Sequence, residues 1–503
     1  MKEFKIIVRE YISGLLRSSA FKGAAVLLIF ASVGFVSGLS AQEAGTQNTY
    51  RVKGIVRDAY SKQPINAAQI NSLYSANSAV SDSLGNFEIG LISNEEVLTV
   101  SVYDYNTRQM AVRGKDMIVI DMYSNTFADY YGKVNGLNGM KEKLTTVPAI
   151  ARSTEAKNGF AVSADEMIHN KLNGSLRSTT RSGVAGMGAV LYLRGLNSLN
   201  ASAQPLFVID GVIWNNKSDQ SSVHYGYQPN PLDIIDVNDI QEITLLKNGT
   251  AIYGSKAANG VILIKTKRGN STVTKIDVNV SSGITTRPKT IPVMDASEHL
   301  TYVSEMLKSS GLTNAEISQL PYLNDDPARS TYLRYHNNTD WSDQVYSNGM
   351  SNDYSINVNG GDDKALYYLS LGYTNNRGVV QPAGMDRYNV RLNADINLFE
   401  NANLAVNVGF SRIDRDMIDD GVNPVSSPTW IAQIKSPILY PYNYTTLGTP
   451  TEDFEYYDIF GVSNPGGVIQ YSNNTMKKNS FNISLRPEFF INKNLRISEH
   501  FDY

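Results

Sequence analysis

Residues 387–398 read Arg387-Tyr-Asn-Val-Arg-Leu-Asn-Ala-Asp-Ile-Asn-Leu398, and polar and apolar side chains alternate at every one of these positions. Successive side chains of a β-strand point to opposite faces, so this stretch predicts a strand with one polar and one apolar face. A strand of about 10 residues can cross a bilayer when it is tilted. A soluble sheet with one face in water gives the same alternation, so the pattern alone leaves both interpretations open.

The connections between such stretches favour the membrane interpretation. Similar alternation recurs around 276–280, 404–410 and 481–489, which predicts about seven strands from residue 271 to Tyr503. Their connections are predicted to be long at 286–353 and 414–479, intermediate at 374–386, and short at 360–364, 399–402 and near 492–494. Alternating long loops and short turns are typical of outer-membrane barrels.

Seven strands do not close a barrel. An open set would leave unpaired backbone groups in lipid, which is costly. We therefore expect an incomplete barrel, with the 503 residues being the amino-terminal portion of a longer protein or a truncated gene product that does not work alone.

Composition excludes several classes of function. The chain has 503 residues, roughly three domains' worth. Lys plus Arg number 45 against 48 Asp plus Glu, so no basic field exists to bind nucleic acid. The absence of cysteine excludes disulfides, Cys-ligated metals and thiol nucleophiles. No catalytic set accompanies the five histidines, so we expect no enzyme activity, no catalytic residues, no metal and no cofactor; they are His169, His224, His299, His336 and His500.

The amino terminus predicts export. Five basic residues precede an uncharged stretch over 23–42 that ends in small residues, as in a signal peptide covering residues 1–41. The alternative is an uncleaved inner-membrane anchor, since 20 uncharged residues could just span a bilayer. In both cases the remaining chain lies outside the cytoplasm.

Residues 42–124 are predicted to form a small β-sandwich, because short alternating runs are separated by turn residues. Three short patterns occur in order: Val52-x-Gly-x-Val-x-Asp58, Pro64-x-x-x-Ala68 and Asp82-x-x-Gly-Asn-Phe87. They resemble the carboxypeptidase regulatory-like domain, a name that implies no peptidase activity. The alternative is a generic seven-strand sandwich.

A polar, Gly-containing linker over 125–150 leads to the most specific motifs of the chain. These are Leu191-Tyr-Leu-Arg-Gly195, Gln204-Pro-Leu-Phe-Val-Ile-Asp-Gly-Val212 and the long run from Asp239 to Gly269. Within that run we predict a strand over 242–247, a short helix or tight turn over 251–258 and a returning strand over 261–266. Small residues at the turn allow close backbone packing. A phosphate loop is rejected, because Ser255 precedes Lys256 and the motif needs Lys first.

Together these motifs resemble the plug domain of TonB-dependent outer-membrane receptors, in detail the SusC/RagA-like branch, over residues 151–270. The residues that carry the resemblance are Arg194, Gly195, Pro205, Asp210, Gly211, Tyr253, Gly254, Asn259 and Gly260. The expected fold class is mainly β: a small β-sandwich, then an α+β plug domain, then antiparallel transmembrane β-barrel strands over 271–503.

The resemblance implies a place in the outer membrane, with the plug and amino-terminal domain on the periplasmic side. It implies TonB-dependent import of a nutrient too large for porins, an oligosaccharide or else a peptide. The implied partners are a SusD-like surface lipoprotein, the inner-membrane TonB–ExbB–ExbD complex and outer-membrane lipid, with no nucleic acid. The alternatives are a secreted or surface β-rich binding or adhesion protein and, without any catalytic set, an extracellular hydrolase.

The segment that TonB would contact lacks the family's usual acidic run before the plug. The best extended candidate is 144–150, because a gripped segment is bound as an added strand through its main chain. Its β-branched residues are Thr145, Thr146, Val147 and Ile150. Pro148 removes one donor from such a ladder.

Substrate-binding residues stay unknown at this stage. Carboxylates cluster at 414–420 and 324–326, and tyrosines at 440–444 and 456–457 with Trp341 and Trp430 nearby. Calcium or sugar contacts would suit these residues, and so would a solvated surface or a membrane-interface belt.

Overall fold

The computed structural model describes residues 50–59, 61–103, 105, 107–122, 150–152, 161–172, 176–180, 186, 188–193, 195–198, 203–214, 231–247, 249–362, 364–399, 401–445, 448–492 and 495–503. The predicted signal peptide and nearly all of the predicted linker therefore lie outside the described residues. Apart from Tyr50, the elements below belong to one compact unit, Arg51–Tyr503.

The first seven strands form a β-sandwich. They are β1 (Tyr50–Asp58), β2 (Gln69–Ser72), β3 (Ser78–Val80), β4 (Asn86–Leu91), β5 (Val97–Ser101), β6 (Arg108–Ala111) and β7 (Met117–Met122). One sheet has the order β4-β1-β7, with β1 and β7 parallel, and the other has the antiparallel order β3-β2-β5-β6. Ile70, Val100 and Ile120 are fully buried, so both sheets contribute to the core. β6 lies at an edge of its sheet.

The next segment combines a five-stranded sheet with short helices. Its elements are β8 (Ile150–Arg152), α1 (Ala164–Leu172), β9 (Arg177–Thr180), β10 (Ala189–Tyr192), β11 (Leu206–Ile209), β12 (Val212–Trp214), β13 (Ile240–Leu246), α2 (Thr250–Tyr253) and β14 (Val261–Thr266). The sheet order is β12-β11-β14-β13-β8, while β9 and β10 pair separately. β14 is buried at all of its positions, because it lies in the middle of the sheet and is covered on both faces. The segment is thus the α+β plug that the sequence predicts.

The remaining elements build a large antiparallel sheet and the loops on it. They are β15 (Lys275–Thr285), α3 (Ala296–Ser309), α4 (Asn314–Ile317), α5 (Tyr332–Tyr335), α6 (Trp341–Val345), β16 (Gly349–Gly361), β17 (Ala365–Arg377), β18 (Gly384–Phe399), β19 (Ala402–Asp416), α7 (Pro428–Ile434), β20 (Tyr442–Tyr444), β21 (Pro450–Phe454), α8 (Pro465–Tyr471), β22 (Thr475–Asn492), β23 (Leu495–Ser498) and β24 (Phe501–Asp502). The order is β15-β16-β17-β18-β19-β22-β23, and β24 also pairs with β22.

The connections of this sheet define two ends. The long loops are 286–348 and 417–474, at what we call the long-loop end, together with 378–383. At the other end, which we call the short-turn end, only two or three residues separate β16 from β17, β18 from β19 and β22 from β23. The loop 378–383 is shorter than the predicted 374–386, because β17 and β18 stay paired as far as Arg377 and Gly384. Both faces of this extension carry polar side chains, so its sequence shows no alternation of polar and apolar residues. Arg377 and Asp386, for example, form an ion pair there at 2.7 Å.

The faces of β18 decide between a soluble sheet and a membrane barrel. Its apolar residues Tyr388, Val390 and Leu392 are 40%, 41% and 37% exposed, whereas the polar residues Asn389, Arg391 and Asn393 are 7%, 7% and 0% exposed. A soluble sheet buries its apolar face, so this arrangement is the reverse. Strands with apolar residues outside and polar residues inside are those of a transmembrane barrel. The predicted fold class is confirmed.

The two long loops pack on each other through a shared apolar core. Trp341 of α6 is buried and its Nε1 donates to the carbonyl of Ser436 in the other loop, at 2.9 Å. Lys435 forms a fully buried ion pair with Asp458, 2.7 Å from Nζ to Oδ2. Burial lowers the pKa of Lys435, and the carboxylate of Asp458 opposes that shift. In the part of the chain that is described, no helix is long and apolar enough to cross a membrane.

Candidate functional site: the interface between plug and barrel strands

An acidic segment of the plug faces the barrel strands. In 232–239, the sequence Leu-Asp-Ile-Ile-Asp-Val-Asn-Asp places carboxylates at Asp233, Asp236 and Asp239, three residues apart. Leu232 and Ile235 are buried and extend the plug core. The three carboxylates are also buried, and the barrel strands supply charged partners to those of Asp233 and Asp239. We call Asp233–Asp239 the acidic segment.

Basic residues of the barrel strands meet the two ends of the acidic segment. Arg415 of β19 lies 3.1 Å from Asp233, Nη2 to Oδ2, with both side chains fully buried. Lys478 of β22 reaches the other oxygen of Asp233 at 3.1 Å. Arg391 of β18 lies 3.4 Å from Asp239, whose Oδ1 also accepts from the Tyr368 hydroxyl at 3.1 Å. Charges this deeply buried are stable only when they are paired.

Side chains on the inward face of β18 also bind the plug, mainly at the backbone carbonyls of the plug. Arg387 donates through Nη1 to the carbonyls of Val162, at 2.8 Å, and Asp233, at 3.2 Å. Asn389 donates to the carbonyl of Ile234 at 2.7 Å. Asn393 donates to the Lys267 carbonyl and the Thr266 hydroxyl, both at 2.7 Å. Alternate residues of one strand therefore contact several plug segments.

The middle of the acidic segment packs closely against β17 at Gly372, a position that we call the notch. Oδ1 of Asp236 accepts from the Asn238 amide at 2.8 Å. A Cβ atom at Gly372 would lie 2.3 Å from Oδ2 of Asp236, well inside van der Waals contact. Glycine at position 372 is therefore what allows the carboxylate to approach the barrel wall.

The end of the plug is attached to the barrel strands by Arg268. Its guanidinium makes a bidentate pair with Asp395 of β18, 2.9 Å from Nε to Oδ2 and 2.7 Å from Nη2 to Oδ1. Bidentate arginine–carboxylate pairs are strong and fix orientation. Arg268 also donates to the side chain of Asn407 in β19. It lies two residues after β14 and so fixes the point where the plug leads into the barrel strands.

Two of the predicted plug residues form a tight turn. Asp210 and Gly211 join β11 to β12 with positive φ angles of 49° and 91°. Two such residues in a row are typical of two-residue hairpin turns, where glycine is favoured. The Asp210 carboxylate accepts from the Thr266 amide at 2.8 Å and from the Thr266 hydroxyl at 2.6 Å. This motif therefore ties the turn to the end of β14.

The remaining predicted plug residues lie around the start of β14. Gly260 has φ of 89°, and a Cβ there would lie 2.7 Å from Leu193 Cδ1. Asn259 accepts from Asn197 at 2.6 Å and donates to the Gln204 carbonyl at 3.3 Å. The others occupy the same region: Gly195 has positive φ, Pro205 is buried, Tyr253 ends α2 and Gly254 has φ of 68°. Arg194 lies outside the described residues.

The candidate TonB-contact segment is seen only at its last residue. Thr145, Thr146 and Val147 lie outside the described residues, whereas Ile150 begins β8. Ile150 pairs with Thr244 of β13, at the edge of the plug sheet. Any strand added at residue 150 would therefore pair along the opposite edge of β8.

Some of the loop residues singled out in the sequence bind or pack against other residues of the same loops. Asp419 accepts from the Gly421 amide at 2.9 Å and from the Ser426 hydroxyl. Tyr440 packs on Tyr442 and Tyr444, with ring centroids 5.9 and 5.2 Å apart. Tyr456, in contrast, is largely exposed. Among the described residues, no three His, Asp or Glu side chains are placed to hold a metal ion.

No sequence motif pointed to the acidic segment. Arg387 and Arg391 were recognised only as polar members of an alternating strand. The usable signal was arginine on the inward face of a barrel strand, since a buried arginine requires a carboxylate partner. The carboxylates three residues apart in 233–239, between apolar residues, were the corresponding signal in the plug.

Comparison with known proteins agrees with this architecture. Residues 147–261 match the TonB-dependent Receptor Plug Domain. The chain is 28% identical over 356 residues to TonB-dependent receptor SusC of Bacteroides thetaiotaomicron, covering 69% of this chain and 32% of that protein. It is 28% identical over 326 residues to TonB-dependent receptor P26 of Formosa agariphila, covering 64% and 30%.

Solved structures show the same fold. The RagAB peptide transporter structure matches with a TM-score of 0.56 and 22% identity, covering 71% of this chain and 40% of that one. Fold and motifs thus define a plug domain of the TonB-dependent receptor type, packed against barrel strands. Within that class the chain is similar to SusC in sequence and to the RagAB peptide transporter structure in fold. It spans about a third of the length of the curated relatives it matches, 32% and 30%.

Proposed function

We propose that this chain serves TonB-dependent import, across the outer membrane, of a nutrient too large for porins. The observation that carries the proposal is the inward face of β18, where Arg387, Asn389 and Asn393 bind the plug while the opposite face is apolar and exposed. A plug held by polar contacts to barrel strands, whose outer face is apolar, fits an import pathway that opens only when the plug moves. Receptors of this class are transporters rather than enzymes.

In this proposal the domains follow the predicted limits, except that β8 makes residue 150 part of the plug sheet. Residues 1–41 are the signal peptide, 42–124 the β-sandwich, 125–150 the linker, 151–270 the plug and 271–503 barrel strands with their loops. Relatives of this class are outer-membrane proteins. We assign the short-turn end to the periplasm and the long-loop end to the cell exterior, because outer-membrane barrels have short periplasmic turns.

The substrate we propose is an oligosaccharide, with a peptide as the alternative. The resemblance to the SusC/RagA-like branch implies the first, and a neighbouring structure named a peptide transporter supports the second. A SusD-like lipoprotein on the long-loop end and the TonB–ExbB–ExbD complex on the short-turn end complete the proposed system.

Uptake by cells carrying the complete protein tests the proposal. Fluorescent oligosaccharides and a labelled tryptic digest are offered separately, with and without a protonophore. We expect uptake of one of the two classes, and its loss when the protonophore is added. Surface binding without uptake would favour the alternative of a binding protein, and uptake that survives the protonophore would contradict TonB coupling.

Energy coupling is tested by deleting residues 144–149, a choice that spares β8. We expect energised uptake to be lost while surface binding of the labelled probe is kept, because TonB would lose the strand it grips. Deletion of residues 129–134 shortens the same linker equally and should leave uptake intact. Equal uptake in the two deletion variants would place the coupling segment elsewhere.

A further inference from the structure

The β-sandwich is joined to the barrel strands at one edge. The connector, which we define as Asn270–Thr272 between plug and barrel strands, lies alongside β6 in a parallel bridge of Gln109 with Ser271. The Gln109 amide donates to the Asn270 carbonyl at 2.7 Å, and the Thr272 amide donates to the Gln109 carbonyl at 3.0 Å. The Ala111 amide donates to the Thr272 hydroxyl at 3.0 Å. The connector thus extends the sheet β3-β2-β5-β6 by one short strand.

The opposite side of the connector contacts the barrel strands. Asn270 and Asn359 of β16 exchange hydrogen bonds, with the Asn270 amide 3.2 Å and its side chain 2.6 Å from Asn359. A Cβ at the preceding residue, Gly269, would lie 2.5 Å from the Tyr367 amide nitrogen of β17. Ser271 is fully buried between the two bodies. Extended backbone held on both sides in this way has little freedom to shift.

A weaker electrostatic interaction joins the sandwich to the neighbouring short turn. The pKa of Asp362 is lowered, mainly because the amides of Ala365 and Lys364 donate to its carboxylate. The positive charges of Lys364 and Arg113 lower it further, and Arg113 belongs to the β6–β7 turn of the sandwich. The sandwich therefore faces the short-turn end at more than one point.

An unpaired sheet edge is a template for any extended segment, and strand addition depends on main-chain hydrogen bonds. We propose that the edge of β6 is a docking surface for extended backbone, that the connector occupies it, and that the β-sandwich stays docked on the short-turn end while the plug moves. The last part rests on the import function proposed above. In this arrangement the sandwich acts as a fixed anchor on the amino-terminal side of the linker.

Disulfide formation in native outer membranes tests the docking, because the chain has no cysteine of its own. Adjacent strands bring Cα atoms within disulfide range, so the pair Q109C and S271C should cross-link on mild oxidation. Thr99 is the register partner of Gln109 on β5, one strand further from the connector. The control pair T99C and S271C would span about 10 Å, beyond the disulfide limit, and should stay reduced.

Equal cross-linking of the two pairs, or none in either, would overturn the docking. If S271C lowers the amount of folded protein, hydrogen exchange of the unmodified protein decides instead. The amides of Gln109 and Thr272 should then exchange as slowly as those within β5, and fast exchange at both would overturn the docking.

Uptake by the cross-linked protein tests whether the anchor is permanent. The fluorescent oligosaccharides and labelled digest serve as probes, and the Q109C and S271C variant is compared before and after oxidation. We expect equal uptake in the two states; uptake lost on oxidation and restored by a reductant would overturn a permanent anchor. If the unmodified protein imports neither probe, the import proposal fails, while the disulfide result still judges the docking.

Discussion

Single residues at the interface between the plug and the barrel strands contribute to the free energy of unfolding, and substitutions can measure these contributions. In a buried ion pair, attraction offsets a large desolvation cost, so removing one partner leaves an unpaired buried charge and lowers stability strongly. The same removal from a solvent-exposed pair costs much less free energy. Arg415 and Arg412 lie on the same strand and allow this comparison, because the first is fully buried with Asp233 and the second is 48% exposed with Asp414. Substitutions at the partners of the acidic segment therefore test how much single residues contribute to stability.

Replacing Arg415 by Met should destabilise the complete protein by about 3 kcal/mol, the low end of the range for breaking a buried pair, because Lys478 still reaches Asp233. Replacing Arg412 by Met should cost less than about 1 kcal/mol, since the pair is at the surface. Urea unfolding in detergent micelles measures both. Equal costs would show that the buried pair does not stabilise the seated plug.

Replacing Gly372 by Ala should cost about 1–3 kcal/mol, because the new methyl group collides with the Asp236 carboxylate. Asp236→Ala introduced in the same chain removes the colliding oxygen and should recover part of that cost. Gly90→Ala is the control, because nothing lies within 4 Å of a Cβ there. The same urea unfolding assay applies, and a double variant as unstable as the sum of its single variants would refute the notch.

At the scale of elements, the strands could be predicted and their partners could not. The alternation in 387–398 is local, so the strand and its two faces follow from sequence. The loop 378–383 was overestimated because pairing continues where both faces are polar, as at Arg377 and Asp386. Ile150 was expected in an extended tether but belongs to the plug sheet, a pairing with residue 244 that no local pattern reveals.

Epitope tags test which end of the sheet faces the cell exterior. A tag at 416–421 is unsuitable, although this segment lies in a long loop, because Asp419 and Gly421 are buried there. An insertion after Ser310 is preferable, since it follows α3 in an exposed part of the loop 286–348. We expect antibody staining of this tag on intact cells, and of a control tag at 400–401 only after permeabilisation. The reverse pattern would invert our orientation.

For the whole molecule, sequence predicted the order of sandwich, plug and barrel strands but none of the contacts between them. Arg415 and Asp233 are 182 residues apart, and Arg387 and Val162 are 225 apart. Such pairs depend on how the sandwich, the plug and the barrel strands meet in the folded chain. The acidic segment carries no motif of its own, whereas glycine-rich turns such as Asp210-Gly211 do, because their backbone geometry restricts residue choice. Sequence motifs therefore identified the plug, whereas its contacts with the barrel strands are seen only in the structure.

The central claim is that β18 lies between lipid on one face and the plug on the other. Nitroxide labels on single cysteines at each of positions 388–393, in the complete protein in native outer membranes, test it through collision with oxygen, which concentrates in lipid. We predict high oxygen accessibility at Tyr388, Val390 and Leu392 and low accessibility at Asn389, Arg391 and Asn393, because the first three side chains are exposed and the others buried. Low oxygen accessibility at all six positions, or the opposite phase, would contradict the account.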